Sequence, residues 1–176
     1  TKYTEPAGTP ELRAAIAAKF QRDHGLTLSP EEVAVTTGAK QALFNALQVL
    51  VGPGDEVLIP APYWVSYPDM VALAGGKPVL VDWTEGFQID LEDLERKITP
   101  RSRVILVNTP NNPTGAVYPR ETLEKVAALA ARHNLALLSD EIYEKLVFGG
   151  ARHVALASLS PEAAARTVTV NGCSKA

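Results

Sequence analysis

Only one cysteine, Cys173, occurs in the 176 residues. A lone cysteine excludes an internal disulfide and fits a reducing compartment; it reads as a small packing residue rather than a nucleophile. No charge of one sign dominates, since 17 Lys and Arg face 20 Asp and Glu for a net charge of −3. That balance gives no general pull toward nucleic acid or an anionic membrane. No apolar run approaches the ~20 residues that a membrane span needs, and no signal peptide is read at the start. The cytoplasm is therefore the expected compartment. His24, His133 and His153 are scattered without metal-ligand spacing, so no metal is expected. Gly-x-Gly-x-x-Gly and Gly-x-x-x-x-Gly-Lys-Ser/Thr are both missing, which disfavours a dinucleotide or a P-loop nucleotide.

What is present suits one domain with a sizeable core, with 46% hydrophobic and 21% charged residues. Pro10 to His24 spaces Leu12, Ile16 and Phe20 as an amphipathic helix, stopped by Gly25. The pattern then predicts a short strand over Glu32–Thr36 and a helix from Gly38 to about Leu50. A turn follows at Val51-Gly-Pro-Gly-Asp. Next come a strand over Glu56–Ile59, a helix over Tyr63–Ala74 and a strand over Lys77–Val81. A short helix over Leu91–Lys97 leads to an apolar strand over Arg103–Asn108. A helix over Pro119–His133 begins with proline near its first turn, and a strand over Leu135–Ser139 follows. Leu146-Val-Phe is ambiguous, Glu162–Arg166 a weak helix and Thr167–Val170 the last strand. Strands that alternate with helices and are apolar throughout imply a mostly parallel sheet covered on both faces, a three-layer α/β/α domain. Ligands of such sheets bind beyond the carboxyl ends of the strands, where Gly38, Asn112, Asp140 and Lys175 all fall.

These residues form a chemical set. Lys175 is an amine, Asp140 a carboxylate, and Asn112 and Tyr143 hydrogen-bonding groups, which together match what a pyridoxal phosphate ring requires. Each has a plainer reading alone: a solvated lysine, a helix N-cap at Asp140, a turn residue before Pro113 at Asn112. Tyr143 follows Asp140 by three residues, close to one helical turn, so both can face one ligand. Thr37-Gly-Ala-Lys-Gln-Ala lies between a predicted strand and a helix, where backbone amides can hold phosphate and Gly38 permits close approach. It can equally be an ordinary strand-to-helix turn.

Several separated motifs in one order carry a resemblance to a family. They are Lys-Tyr-Thr-Glu-Pro-Ala-Gly-Thr-Pro-Glu-Leu-Arg around Tyr3, Thr-Thr-Gly-Ala-Lys-Gln-Ala, Ala-Pro-Tyr-Trp-Val-Ser-Tyr, Asn-Asn-Pro-Thr-Gly, Asp-Glu-x-Tyr and Ser-Lys-Ala. Across essentially the whole chain the sequence resembles the large domain of class I, fold type I, pyridoxal phosphate-dependent aminotransferases of the bacterial aspartate aminotransferase type. The resemblance implies that Lys175 forms a Schiff base with the cofactor and carries the proton between substrate Cα and cofactor C4′. Asp140 would keep the pyridine nitrogen protonated, and Asn112 and Tyr143 would bond the ring oxygen. Gly38, Ala39, Lys40 and Ser174 would serve the cofactor as well, and Trp64 would stack on the ring. Tyr3 would reach the cofactor phosphate of a neighbouring subunit, making the protein a homodimer with shared active sites. Lys40, with Trp64 and Asn112, would bind substrate, its ammonium meeting the distal carboxylate of an acidic amino acid. Ala61-Pro62 and Asn112-Pro113 lie where relatives have cis peptides.

The implied reaction is transfer of an amino group from aspartate or another acidic amino acid to 2-oxoglutarate, with amino acids and 2-oxo acids as partners. Prephenate is a further possible acceptor. A fold type I C–S β-lyase shares the same cradle, and a non-catalytic pyridoxal phosphate-binding regulator is the alternative outside enzymes. Two departures stand out. The serine that many relatives place three residues before the lysine is Gly172 here, with Ser174 adjacent to Lys175 instead. The arginines that relatives use for the cofactor phosphate and for the substrate α-carboxylate have no counterpart in these residues. Residues 1–176 are expected to be a fragment of the cofactor-binding large domain, without the small C-terminal domain and a longer N-terminal segment, and to be inactive in isolation.

Overall fold

A computed structural model describes residues 3–175. Helix α1 (Pro10–His24) occupies the predicted span; the Thr9 side chain accepts from the Leu12 N–H at 3.4 Å, and Gly25 closes the helix at φ 70°. Helix α2 (Ala39–Leu50) leads to strand β1 (Glu56–Pro60), and helix α3 (Ser66–Leu73) to strand β2 (Lys77–Val81). A small antiparallel hairpin of β3 (Trp83–Thr84) and β4 (Gln88–Ile89) follows, then helix α4 (Leu91–Lys97). Strand β5 (Ser102–Asn108), helix α5 (Arg120–Arg132), strand β6 (Ala136–Asp140), helix α6 (Pro161–Arg166) and strand β7 (Thr167–Val170) complete the order.

The five long strands pair in parallel in the order β2-β1-β5-β6-β7. Successive residues of a strand point to opposite faces, and here both faces are apolar. Val104 and Leu106 of β5 and Leu138 of β6 pack with Leu43 and Leu47 of α2 and Met70 and Val71 of α3. Ile105 and Val107 of β5 and Leu137 of β6 pack on the other side with Leu94 of α4 and Leu123 and Val126 of α5. This is the expected three-layer α/β/α arrangement, and it explains why the strands read as unbroken apolar runs.

The strand expected over Glu32–Thr36 does not form. Pro30–Glu32 is a single 3-10 turn, and residues 33–36 run extended without joining a described sheet. They are tied to α1 and the segment before it: the Val35 N–H donates to Ala7 at 2.8 Å, and Arg13 Nε donates to the carbonyls of Pro30 at 2.7 Å and Val33 at 3.0 Å. Gly38 therefore opens α2 after a bend rather than after a strand. The Leu146-Val-Phe segment is neither helix nor strand.

Register places the site. Asn108 pairs with Asp140, and Asp140 with Val170, so the carboxyl ends of β5, β6 and β7 lie side by side. The loops leaving those ends carry Asn112, Tyr143 and Lys175.

Candidate active site

A cleft of about 320 Å³ opens at these strand ends. Its lining brings together Gly38, Ala39, Lys40, Trp64, Asn112, Asp140, Tyr143, Ser174 and Lys175. Every candidate site residue except Tyr3 is there. Tyr3 is fully exposed and does not line the cleft of its own chain. A surface groove of about 430 Å³ runs between α4 and α5, but its polar lining is Glu92, Lys125 and the solvated Glu95–Arg132 pair at 2.9 Å. It lacks a buried acid beside an amine, so size does not select the site.

Asp140 sits at the base of the cleft, only 3% exposed. Its Oδ2 accepts from the Tyr67 hydroxyl at 2.6 Å and its Oδ1 from the Ile142 N–H at 3.2 Å. The second bond is the capping contact expected of an aspartate, but a turn follows rather than a helix. Burial pushes the Asp140 carboxyl above its usual range; the bonds from Tyr67 and Ile142 oppose that rise, and the neighbouring Glu141 charge adds to it. Burial, then the Asp140 charge and hydrogen bond, raise the Tyr67 phenol well above its usual value, so its proton stays in place as a donor. Among the described residues Asp140 has no cationic partner.

Tyr67 is the residue that sequence reasoning missed. It lies three positions after Trp64 on α3, and its ring meets the Trp64 ring edge-on at 5.4 Å. The spacing argument that joined Asp140 to Tyr143 applies equally to Trp64 and Tyr67 and could have found it. Asn108 was missed as well. Its Nδ2 donates to the carbonyls of Asp140 at 3.0 Å and Pro110 at 3.2 Å, and its Oδ1 accepts from the Asn112 N–H at 2.8 Å. A polar residue ending an apolar parallel strand was the available signal.

The loops above the strands are cross-tied. Asn111 Nδ2 donates to the Pro62 carbonyl at 3.1 Å, linking the loop before Trp64 to the loop holding Asn112. Ala61-Pro62 and Asn112-Pro113 are cis, as the resemblance implied, and so is Thr109-Pro110. Asn112 Nδ2 lies 3.4 Å from the Tyr143 hydroxyl, so the two groups converge on one point. At the other side, Gly38 has φ 89° with open space where a Cβ would stand. Gln41 Oε1 accepts from both the N–H and the hydroxyl of Thr37 at 2.7 Å, bending the chain into α2. The first N–H groups of a helix lack partners within it, so the start of α2 can receive an anion. Lys40 Nζ stands 4.8 Å over the Trp64 ring, within cation–π range.

This donor set fits pyridoxal phosphate. A buried carboxylate can pair with a protonated ring nitrogen, paired donors with an oxyanion, and a helix start with phosphate. Lys175 lines the same cleft and carries an amine.

A family model described as aminotransferase class I and II matches residues 1–176. The chain is 55% identical over 178 residues to a probable aspartate/prephenate aminotransferase of Thermus aquaticus, covering 100% of this chain and 45% of that protein. A solved structure of aspartate aminotransferase from Thermus thermophilus with maleate superposes with a TM-score of 0.94 at 54% identity, covering 99% of this chain and 45% of that one. An aromatic aminotransferase from Pyrococcus horikoshii OT3 superposes with a TM-score of 0.95 at 42% identity, over 99% of this chain and 47% of that one. The chain thus spans just under half the length of these relatives.

Proposed function

The chain belongs to the aminotransferase class I and II family, and on that premise we propose that the protein it forms part of moves an amino group from aspartate, or another acidic amino acid, to 2-oxoglutarate with pyridoxal phosphate. Residues 1–176 are read as the cofactor-binding part of the large domain. The observation that carries the reading is the buried Asp140, held by Tyr67 at the base of a cleft that Lys175 also lines.

The bound cofactor supplies the aldehyde that receives the amino group and a ring that spreads the charge left at Cα. Asp140 holds the proton on the ring nitrogen by charge attraction in a site where burial strengthens it. Asn112 and Tyr143 bond the ring oxygen, and the start of α2 with Ser174 holds the phosphate. Trp64 covers the ring face and excludes water from it. With the cofactor bound, the Lys175 amine would take the proton from substrate Cα and deliver it to the cofactor carbon C4′.

Substrate class rests on Lys40 rather than on the fold, since a Pyrococcus aromatic aminotransferase shares the fold at a TM-score of 0.95. The Thermus relative crystallised with maleate, a dicarboxylate, supports an acidic substrate. No helix among the described residues is long and apolar enough to cross a membrane. A homodimer, with Tyr3 reaching the neighbouring site, and a cytoplasmic setting complete the proposal.

The test uses the full-length protein with pyridoxal phosphate, aspartate and 2-oxoglutarate. Glutamate and oxaloacetate are the expected products. Pyruvate and ammonia from a sulfur amino acid would make it a C–S β-lyase, and cofactor binding without turnover would make it a regulator. Residues 1–176 alone should show no turnover; robust activity would overturn the fragment reading.

A further inference from the structure

One buried polar cluster lies outside the cleft and plays no part in the chemistry above. The side chain of Glu144, next to Tyr143, is 3% exposed. Its Oε1 lies 2.6 Å from Lys19 Nζ, and its Oε2 meets His24 Nε2 at 2.8 Å and Asn171 Nδ2 at 2.7 Å. Lys19 and His24 belong to α1, while Asn171 follows β7 directly. His24 also approaches His153 ring to ring at 5.8 Å, and His153 pairs with Glu141 at 2.9 Å. Two of the three histidines that looked scattered in sequence, His24 and His153, are therefore neighbours. The Lys19 ammonium, 2.6 Å from Glu144 and 3.3 Å from His24, already supplies the cation of this cluster. The cluster is an ion-pair node.

The node reaches the lysine-bearing turn through Asn171. While its Nδ2 donates to Glu144, its Oδ1 accepts from the Gly172 N–H at 2.7 Å. Flipping that amide would break both bonds. Gly172 in turn lies against the cleft wall: a Cβ there would come 2.8 Å from Ile142 Cδ1. A side chain at this position would ask the Ile142 Cδ1 methyl to turn aside. Held by Asn171 and pressed against Ile142, the turn enters the cleft at Ser174 and Lys175.

We propose that Glu144 is a positioning residue for Lys175. Its carboxylate, anchored by Lys19 and His24 of α1, holds Asn171 and so sets where the lysine-bearing turn begins. Burial favours the neutral form of Glu144, yet the bonds from His24 and Lys19 and the Lys19 charge hold its pKa well below the carboxylate range. It is therefore an acceptor for the Lys19 and Asn171 donors. Glutamine cannot replace it, because its NH2 would face either the Lys19 donor or the Asn171 donor.

The inference rests on the cofactor role proposed for Lys175, and the experiment separates the two. Full-length apoprotein is mixed with pyridoxal phosphate, and attachment is followed by the visible band and by borohydride reduction with mass mapping. Attachment at a residue other than 175 would overturn the cofactor reading, and the positioning inference with it. With attachment at Lys175, Asn171→Ala should slow it by about tenfold, the scale of one lost hydrogen bond to a charged group. The pH midpoint of the visible band should also move, which a loss of stability alone would not produce. Glu144→Gln should act in the same direction, and the double variant should be no worse than the more affected single one, since both act through one bond. Asn171 is only partly buried, so its variant remains informative if Glu144→Gln does not fold. An unchanged rate and midpoint in Asn171→Ala, or additive effects, would overturn the proposal.

Discussion

Removing one oxygen atom, in Tyr67→Phe, leaves the buried ring against Trp64 but takes the 2.6 Å donor from Asp140. With that bond gone, burial raises the Asp140 carboxyl further, and its hold on a protonated ring nitrogen weakens. A hydrogen bond to a charged group is worth about 1.5–3 kcal/mol. Pyridoxal phosphate affinity of the full-length protein should therefore fall by about one to two powers of ten, measured by titrating the apoprotein. Unchanged affinity would make Tyr67 a core residue only. Lys40 tests substrate choice at the same scale. Its ammonium rests over Trp64 at 4.8 Å, free to turn toward a substrate carboxylate. Lys40→Ala should lower kcat/KM for aspartate by about one to two powers of ten and leave phenylalanine nearly unchanged. Equal losses, with weaker cofactor binding, would assign Lys40 to the phosphate.

The strands and helices show where pattern suffices. Strands β1, β5 and β6 are buried on both faces, so their apolar runs were readable without knowing their neighbours. Leu137 of β6 lies wholly buried on the α4–α5 side of the sheet. Leu137→Ala should cost about 2–5 kcal/mol of stability through the cavity it leaves, read as a lower urea midpoint. Cofactor affinity should stay the same, because Leu137 does not line the cleft; a parallel loss of affinity would show that the two layers are not independent. Residues 32–36 show the opposite case. Their composition suits a strand, but a strand is defined by its ladder, and the Val35 bond to Ala7 is not continued into one among the described residues. The hairpin of β3 and β4 escaped notice for the complementary reason: two residues per strand carry no period.

Across the molecule, buried carboxylates set the acid limit. A hydrogen bond from Thr99, against the effect of burial and with help from Arg101, lowers the Glu56 pKa. For Asp93, burial is outweighed by the Asp82 N–H and by Lys97. Glu144 is depressed as described. Groups depressed on folding contribute stability that is present above their unfolded values, ordinarily 4.5 for glutamate and 3.8 for aspartate, and lose it as pH falls through the lower folded values. Asp140 is raised and works in reverse, costing stability as pH rises past its unfolded value. Three depressed groups against one raised one predict that the urea midpoint of the full-length apoprotein drops from pH 5 to pH 3. A midpoint that holds or rises over that range would contradict these ion pairs.

The sequence by itself determined the alternation of strands and helices and the three-layer class, because periodicity is a local property; the amine, acid and amide proposed for the site each had a plainer reading alone, and the family resemblance singled them out. Only the tertiary structure decided what those groups touch. Tyr67 reaches Asp140 across 73 positions, and His24 reaches Glu144 across 120. Such contacts follow from strand order and register, which place Asn108, Asp140 and Val170 abreast. No local pattern encodes that order. It emerges when helices on both faces close over the sheet and the buried polar groups must find partners within reach.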